Sequence, residues 1–247
     1  MSTYLPASDA ELRPVTDPEE LCEVFRGAEK PNGPFLIGAE AEKFGVVERT
    51  GAPIDYTHGV VRIFGALEKL GWVPERETEA GPVIALRRAG ASITLEPGAQ
   101  LELSGTALDD LHAVGRELDQ HLGELRGVSQ DLGLAWLSAG FHPLARQAEL
   151  PWVPKIRYGV MKEYLPTKGR AAHDMMRRTA TVQANFDFTS EDDAMRKLMV
   201  GLRLGPLIHA LTANAPFSER RVSPLRSLRG DVWLHMDPSR SGLIPRL

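Results

Sequence analysis

The chain has 247 residues, 43% of them apolar and 25% charged, and a formal net charge of −4; it is long enough to bury a core of its own, and its weakly acidic balance excludes a broad basic face for nucleic acid. Cys22 is the only cysteine, which excludes an intrachain disulfide and a cysteine-based metal site and fits a reducing cytoplasm. No apolar run is long enough to span a bilayer, so no membrane partner is expected, and the first eleven residues lack the apolar core of a signal peptide.

A loose leader is expected over residues 1–15 and a single domain over residues 16–247. Asp17-Pro18-Glu19-Glu20 reads as a helix start, with Asp17 to cap and two acids at the positive end of the dipole. Leu21, Val24 and Phe25 give that helix an apolar stripe, and Cys22 is expected in the core beside it. Residues 35–48 read as a strand, with a break expected at Gly45. Val60, Ile63, Phe64, Leu67 and Leu70 recur at helical spacing. Two strands flank Ala89-Gly90 as a hairpin, and a third follows over residues 99–103. The longest periodic stretch, residues 107–132, reads as a core-packing helix that Gly133 ends; a strand is expected from Leu134. A short helix over residues 157–164 and an alternating strand over residues 181–188 come next. Ser190 and Asp193 form a helix-start pair, and Gly205-Pro206 is expected to kink or break the helix that follows. Hairpins rather than regular βαβ units point to an α+β fold: a mainly antiparallel sheet with long helices on one face.

Three segments carry the polar chemistry. In a strand, residues two apart share a face, so Glu40 and Glu42 point the same way. Adjacent carboxylates repel unless a cation neutralises them, and carboxylate oxygens are natural ligands of magnesium. A solvent-exposed strand face explains that pair equally well. The second segment follows the turn Pro97-Gly98. Gln100, Glu102 and Ser104 alternate there with Ala99, Leu101 and Leu103, and Glu96 borders the turn. In the third, Thr181, Gln183, Asn185 and Asp187 share one face and Val182, Ala184, Phe186 and Phe188 the other. Arg177 and Arg178 precede it with guanidinium forks suited to carboxylate or phosphate. If the three strands adjoin, their polar faces make a floor for metal and substrate. Arg220, Arg221, Arg226, Arg229 and Arg240 lie in the later Pro/Ser/Gly-rich stretch. No Walker-type loop and no dinucleotide fingerprint is present.

At these residues the chain resembles the glutamate–cysteine ligases of the plant and proteobacterial type. The resemblance rests on ordered blocks: Phe35-Leu36-Ile37-Gly38-Ala39-Glu40-Ala41-Glu42-Lys43-Phe44-Gly45, residues 92–105, 155–166 and 175–188, Asn214-Ala215-Pro216-Phe217, and residues 229–233. It implies a curved, glutamine synthetase-like antiparallel sheet with helices outside. It also implies an ATP-dependent joining of the glutamate γ-carboxylate to the cysteine amine through an acyl phosphate, with magnesium. By resemblance, Glu40, Glu42, Glu96 and Glu102 are magnesium ligands. Gln183, Asn185 and Asp187 line the nucleotide or glutamate site, and Arg178, Arg229 and Arg240 hold carboxylates or the transferring phosphoryl group. Members of the family are longer, so the sheet is expected to be incomplete at the C-terminus; the macromolecular partner expected is the missing C-terminal half or a second copy in a homodimer. A remnant that only binds magnesium-nucleotide, and a ligase using another amine, are the alternative readings.

Overall fold

The hydrophobic pattern resolves into one seven-stranded sheet with helices against its apolar face. The computed structural model describes residues 14–244; residues 1–13 of the expected leader lie outside the described residues. Helix α1 (Glu19–Arg26) begins where expected, with Asp17 Oδ1 accepting the Glu19 N–H at 2.9 Å. Its apolar stripe does not reach the core: Leu21, Val24 and Phe25 are exposed, and so is Cys22. No described element covers that face, so the expectation of a buried cysteine is wrong.

Strand β1 (Ile37–Val47) runs without a break through Gly45. A Cβ there would overlap the Ile54 side chain and stand 3.0 Å from Trp136, so the glycine serves a close approach. A π-helical turn, Tyr56–Val60, is capped by Asp55 and leads into α2 (Val61–Glu68). α2 buries Ile63, Phe64 and Leu67 completely, each worth about 1.5–3 kcal/mol as an upper bound. Strand β2 (Val73–Arg76) precedes the hairpin of β3 (Val83–Arg88) and β4 (Ala91–Leu95). Ala89 and Gly90 both take positive φ, 47° and 90°, the handedness a two-residue hairpin requires. Strand β5 (Leu101–Ser104) and helix α3 (Leu111–Gln130) follow, with Asp110 capping α3 through the Ala113 N–H at 2.8 Å.

Beyond Gly133 come β6 (Leu134–Leu137), α4 (Ile156–Tyr164), α5 (Ala172–Arg178), β7 (Val182–Phe186), α6 (Glu191–Leu211), the short ribbon β8 (Phe217–Ser218) and β9 (Arg221–Val222), and α7 (Leu228–Leu234). Helix α6 is continuous through Gly205-Pro206, so of the kink or break expected there the break does not occur. It has no buried residue, so solvent can satisfy the carbonyl left free by Pro206, and the penalty is smaller than in a core.

The sheet order is β2-β3-β4-β5-β1-β6, with β7 also paired to β1, and every pairing is antiparallel. β1 is the hub: β5 and β7 flank its first half, and β6 takes residues 44–47. Leu86, Ile93, Leu95, Leu101 and Leu103 pack with α2 and with Leu125 of α3 on one face. The expected α+β class and mainly antiparallel sheet are therefore observed. The opposite face of the central strands is polar.

Candidate active site on the acidic face of the sheet

Strand register brings the acidic residues together. Glu42 stands opposite Glu102, and Glu40 opposite Ser104 on one side and Gln183 on the other. Thr94 stands opposite Glu102 across the β4–β5 pair. Period-two alternation then puts all these side chains on one face. Of these, Glu40, Glu42, Glu102 and Gln183 line a cavity of about 260 Å³ with Glu96, Gln100, Met161, Met175, Met176, Thr179, Thr181, Arg229 and Trp233.

Hydrogen bonds orient the acids. Glu40 accepts from Gln183 Nε2 at 2.6 Å and from Asn185 Nδ2 at 3.1 Å. Glu102 is buried and accepts from Thr94 Oγ1 at 2.8 Å and Ser104 Oγ at 2.9 Å. Glu42 accepts the Thr181 N–H at 3.1 Å. The turn carrying Glu96 is pinned by buried Gln100, which accepts the Gly98 N–H at 2.8 Å and donates to the carbonyls of Met176 and Thr179 at 3.2 and 2.8 Å. Gly98 is required there, because a Cβ would stand 2.5 Å from the Arg177 carbonyl oxygen.

The electrostatics are those of a cluster short of positive charge. Burial pushes the Glu42 carboxyl up to about 8, and the charges of Glu96 and Glu102 add to the rise. Burial, then Glu102, also raises Glu96, against Lys155, Arg157 and the Tyr158 hydroxyl, which donates to it at 3.2 Å. Lys155 is buried, donates to the Leu95 carbonyl at 2.7 Å, and is lowered to about 8, chiefly by burial. Arg229 is half-buried near Glu42 and Trp233.

Among the described residues, no three acid, imidazole or thiol side chains already converge closely enough to hold one ion. The polar donor set nevertheless fits a hard divalent cation: beside three methionines it is carboxylate and amide oxygen without thiol or imidazole, and its strongest perturbation is one a cation relieves.

Three expected site residues lie elsewhere. Asp187 follows the end of β7, so strand parity no longer governs it. Its carboxylate takes Lys30 Nζ at 2.6 Å and the Leu36 N–H at 2.8 Å, a tie between segments. Arg178 is buried between Asp174 (3.3 Å), Glu219 (3.4 Å), Ser218 (2.8 Å) and the Phe141 ring, joining α5 to the β8–β9 ribbon. Arg240 is exposed and pairs with Asp237 at 2.6 Å. Neither arginine lines the cavity. Asn185 reaches Glu40 but is exposed beside the cavity rather than in its wall. Conversely, Thr94, Lys155, Tyr158 and Trp233 belong to the site or its support and carried no assigned role. The clue for Lys155 and Tyr158 was two polar-headed residues three apart at the start of a helix.

The site is thus a carboxylate-lined polar face on an open antiparallel sheet, with arginine at its edge. The chain matches the model of glutamate–cysteine ligase family 2 over residues 36–247 and belongs to that family. It is 38% identical over 227 residues to the chloroplastic glutamate–cysteine ligase of Arabidopsis thaliana, covering 92% of this chain and 43% of the relative. It is 39% identical over 232 residues to the chloroplastic glutamate–cysteine ligase B of Oryza sativa subsp. japonica, covering 94% and 46%. With the chloroplastic enzyme of Nicotiana tabacum the identity is 38% over 242 residues, covering 97% and 46%. The chain thus spans less than half the length of these relatives. Their names overturn the expectation of a cytoplasmic protein, since each of these relatives is named as a chloroplastic enzyme. Among the described residues, no helix is long and apolar enough to cross a membrane.

Proposed function

We propose that this chain carries the acidic part of a magnesium- and ATP-dependent site that joins the γ-carboxylate of L-glutamate to the amine of L-cysteine, the first step of glutathione biosynthesis. The observation that carries this reading is the meeting of Glu40, Glu42, Glu96 and Glu102, from β1, the Pro97-Gly98 turn and β5, around one cavity edged by Arg229. Family membership and the relatives' names supply the reaction class.

Glu40, Glu42, Glu96 and Glu102 would hold the magnesium, which when bound offsets the negative charge of the nucleotide phosphates. Gln183 orients Glu40 and lies where it would meet the nucleotide or glutamate. Arg229 receives a substrate carboxylate or the transferring phosphoryl group. In the reaction, a γ-carboxylate oxygen attacks the terminal phosphorus and the bond to the ADP oxygen breaks. The cysteine amine then attacks the acyl carbon, the C–O bond breaks, and phosphate leaves. What these side chains contribute is chiefly position and charge. Arg178 and Arg240 are tied into structural pairs, so they have no part in this reading. The whole site belongs to one domain on a glutamine synthetase-like sheet, completed by polypeptide equivalent to the rest of its longer relatives.

The test is phosphate release from ATP with magnesium, glutamate and a panel of amines. Release that depends on cysteine supports the reading. Release that requires a different amine overturns the acceptor, and release without any amine overturns the ligase.

A further inference from the structure

A second cavity, of about 560 Å³, opens where the two neighbours of β1 part. β7 pairs with residues 37–41 and β6 with residues 44–47, so Glu42 and Lys43 stand at the gap between them. Alternation along the strand turns Glu42 toward the acidic cavity and Lys43 toward the back of the sheet. Glu42, Thr181 and Arg229 line both cavities and form the partition between them. Beyond that partition the chemistry changes. Leu118 and Leu122 of α3, Val182 of β7 and Ile208 of α6 make an apolar wall, and Leu122, Val182 and Ile208 are exposed. Lys43, also in the wall, is buried. Its Nζ donates to the Ala41 carbonyl at 2.9 Å and to His121 Nε2 at 3.1 Å. An ammonium carries three N–H donors, so one is left over, and among the described residues Lys43 has no ion pair. His121 completes this end of the cavity. Since Nε2 accepts from Lys43, the hydrogen of the neutral ring sits on Nδ1, which is buried and without a partner among the described residues. Buried donors lacking acceptors, beside an apolar wall, mark a place for an acceptor brought by a ligand.

We propose that this cavity is a second small-molecule site, which takes a monocarboxylic acid with an apolar tail: the carboxylate meets Lys43 and the tail lies along Leu118, Leu122, Val182 and Ile208. Its volume falls within the roughly 300–1,000 Å³ of small-molecule pockets. A carboxylate is favoured over phosphate because Glu42 stands next to Lys43 in the wall and repels a second negative charge. A tail is favoured because the exposed apolar wall is wetted until something covers it. The site does not depend on the functional reading above, in which Lys43 has no role. It touches that reading only through the shared partition of Glu42, Thr181 and Arg229.

The experiment is calorimetric titration of the chain, without nucleotide or magnesium, with octanoate, octanol and acetate. The proteins are the unaltered chain, Lys43→Met and Ile208→Asp, each checked for folding by circular dichroism. Lys43→Met removes the cation. Ile208→Asp puts a like charge on the tail's wall, on a helix with no buried residue, so it decides the matter if Lys43→Met does not fold. The proposal expects saturable binding of one octanoate per chain, with octanol and acetate each at least tenfold weaker. It expects octanoate to weaken tenfold or more in Lys43→Met and fivefold or more in Ile208→Asp. A folded, unaltered chain that takes up no octanoate overturns it. Octanol binding as tightly as octanoate overturns it too, and leaves only an apolar surface. Acetate binding as tightly as octanoate removes the tail from the proposal and so overturns it. Octanoate affinity within twofold of the original in either folded variant also overturns it.

Discussion

Glu42 and Glu102 face each other directly across the β1–β5 pair, two carboxylates in register on the polar side of the sheet. Like charges so placed destabilise a sheet, and most of the site's behaviour follows from that pair.

Replacing one member separates stability from binding. Glu102→Gln keeps the shape and leaves an acceptor for Thr94 and Ser104, while removing charge opposite Glu42. Magnesium–nucleotide affinity should fall at least tenfold, about 1.4 kcal/mol. The metal-free protein should melt at the same temperature or slightly higher. Calorimetry and thermal melts on the same samples check both.

The Glu42 carboxyl gives a pH signature. Its folded value of about 8 lies above the ordinary 4.5, so the native state holds the extra proton between those limits. Stability from this group is full below about pH 4.5 and is lost as pH rises through 8. Urea titrations across that range should show Glu42→Gln losing less stability than the original with rising pH. Added magnesium should flatten the original's slope.

A second pair, behind the sheet, acts in the opposite sense. Lys43 is buried on the apolar side of β1, with Nζ 2.9 Å from the Ala41 carbonyl oxygen and 3.1 Å from His121 Nε2. Burial, then Lys43, lowers His121 from 6.5 to about 3. The unfolded chain binds the extra proton between those values, so stability is full above pH 6.5 and falls as the solution is acidified toward 3. His121→Gln, which retains an acceptor for Lys43, should unfold less readily than the original at pH 4. Acid melts followed by circular dichroism test this.

The turn that carries Glu96 has no room for a methyl group. Gly98→Ala puts a carbon 2.5 Å from the Arg177 carbonyl oxygen and 2.8 Å from its Cα. Overpacking of this kind costs about 1–3 kcal/mol. The melting temperature and magnesium affinity should fall together, because Glu96 moves with the turn.

Asp187 separates strand parity from site membership. Since it binds Lys30 and the Leu36 N–H, Asp187→Asn should lower the melting temperature modestly while leaving nucleotide affinity within twofold. Nucleotide titration with a parallel melt is the check.

The polar faces were legible because strand alternation has a period of two and needs no tertiary information. Glu40, Glu42, Glu102 and Gln183 follow from it, and antiparallel register then brings them together. The same rule misplaced Asp187, which lies past the last residue of β7. Arginine type reveals charge but not partner, so Arg178 and Arg240 read like Arg229 until Asp174, Glu219 and Asp237 were seen to claim them. Burial was illegible for Cys22, because an apolar stripe says which face of a helix wants cover, not whether cover is present. Lys155 and Tyr158 come to Glu96 only through tertiary packing of α4 against the turn.

Titrating magnesium–ATP into the original chain and into a folded Glu42→Gln/Glu102→Gln double variant bears most directly on whether the facing carboxylates form a shared cation site. Saturable binding in the original that drops by a hundredfold or more in the double variant is the expected result. Equal affinity in both proteins would mean that this acidic face binds no metal–nucleotide.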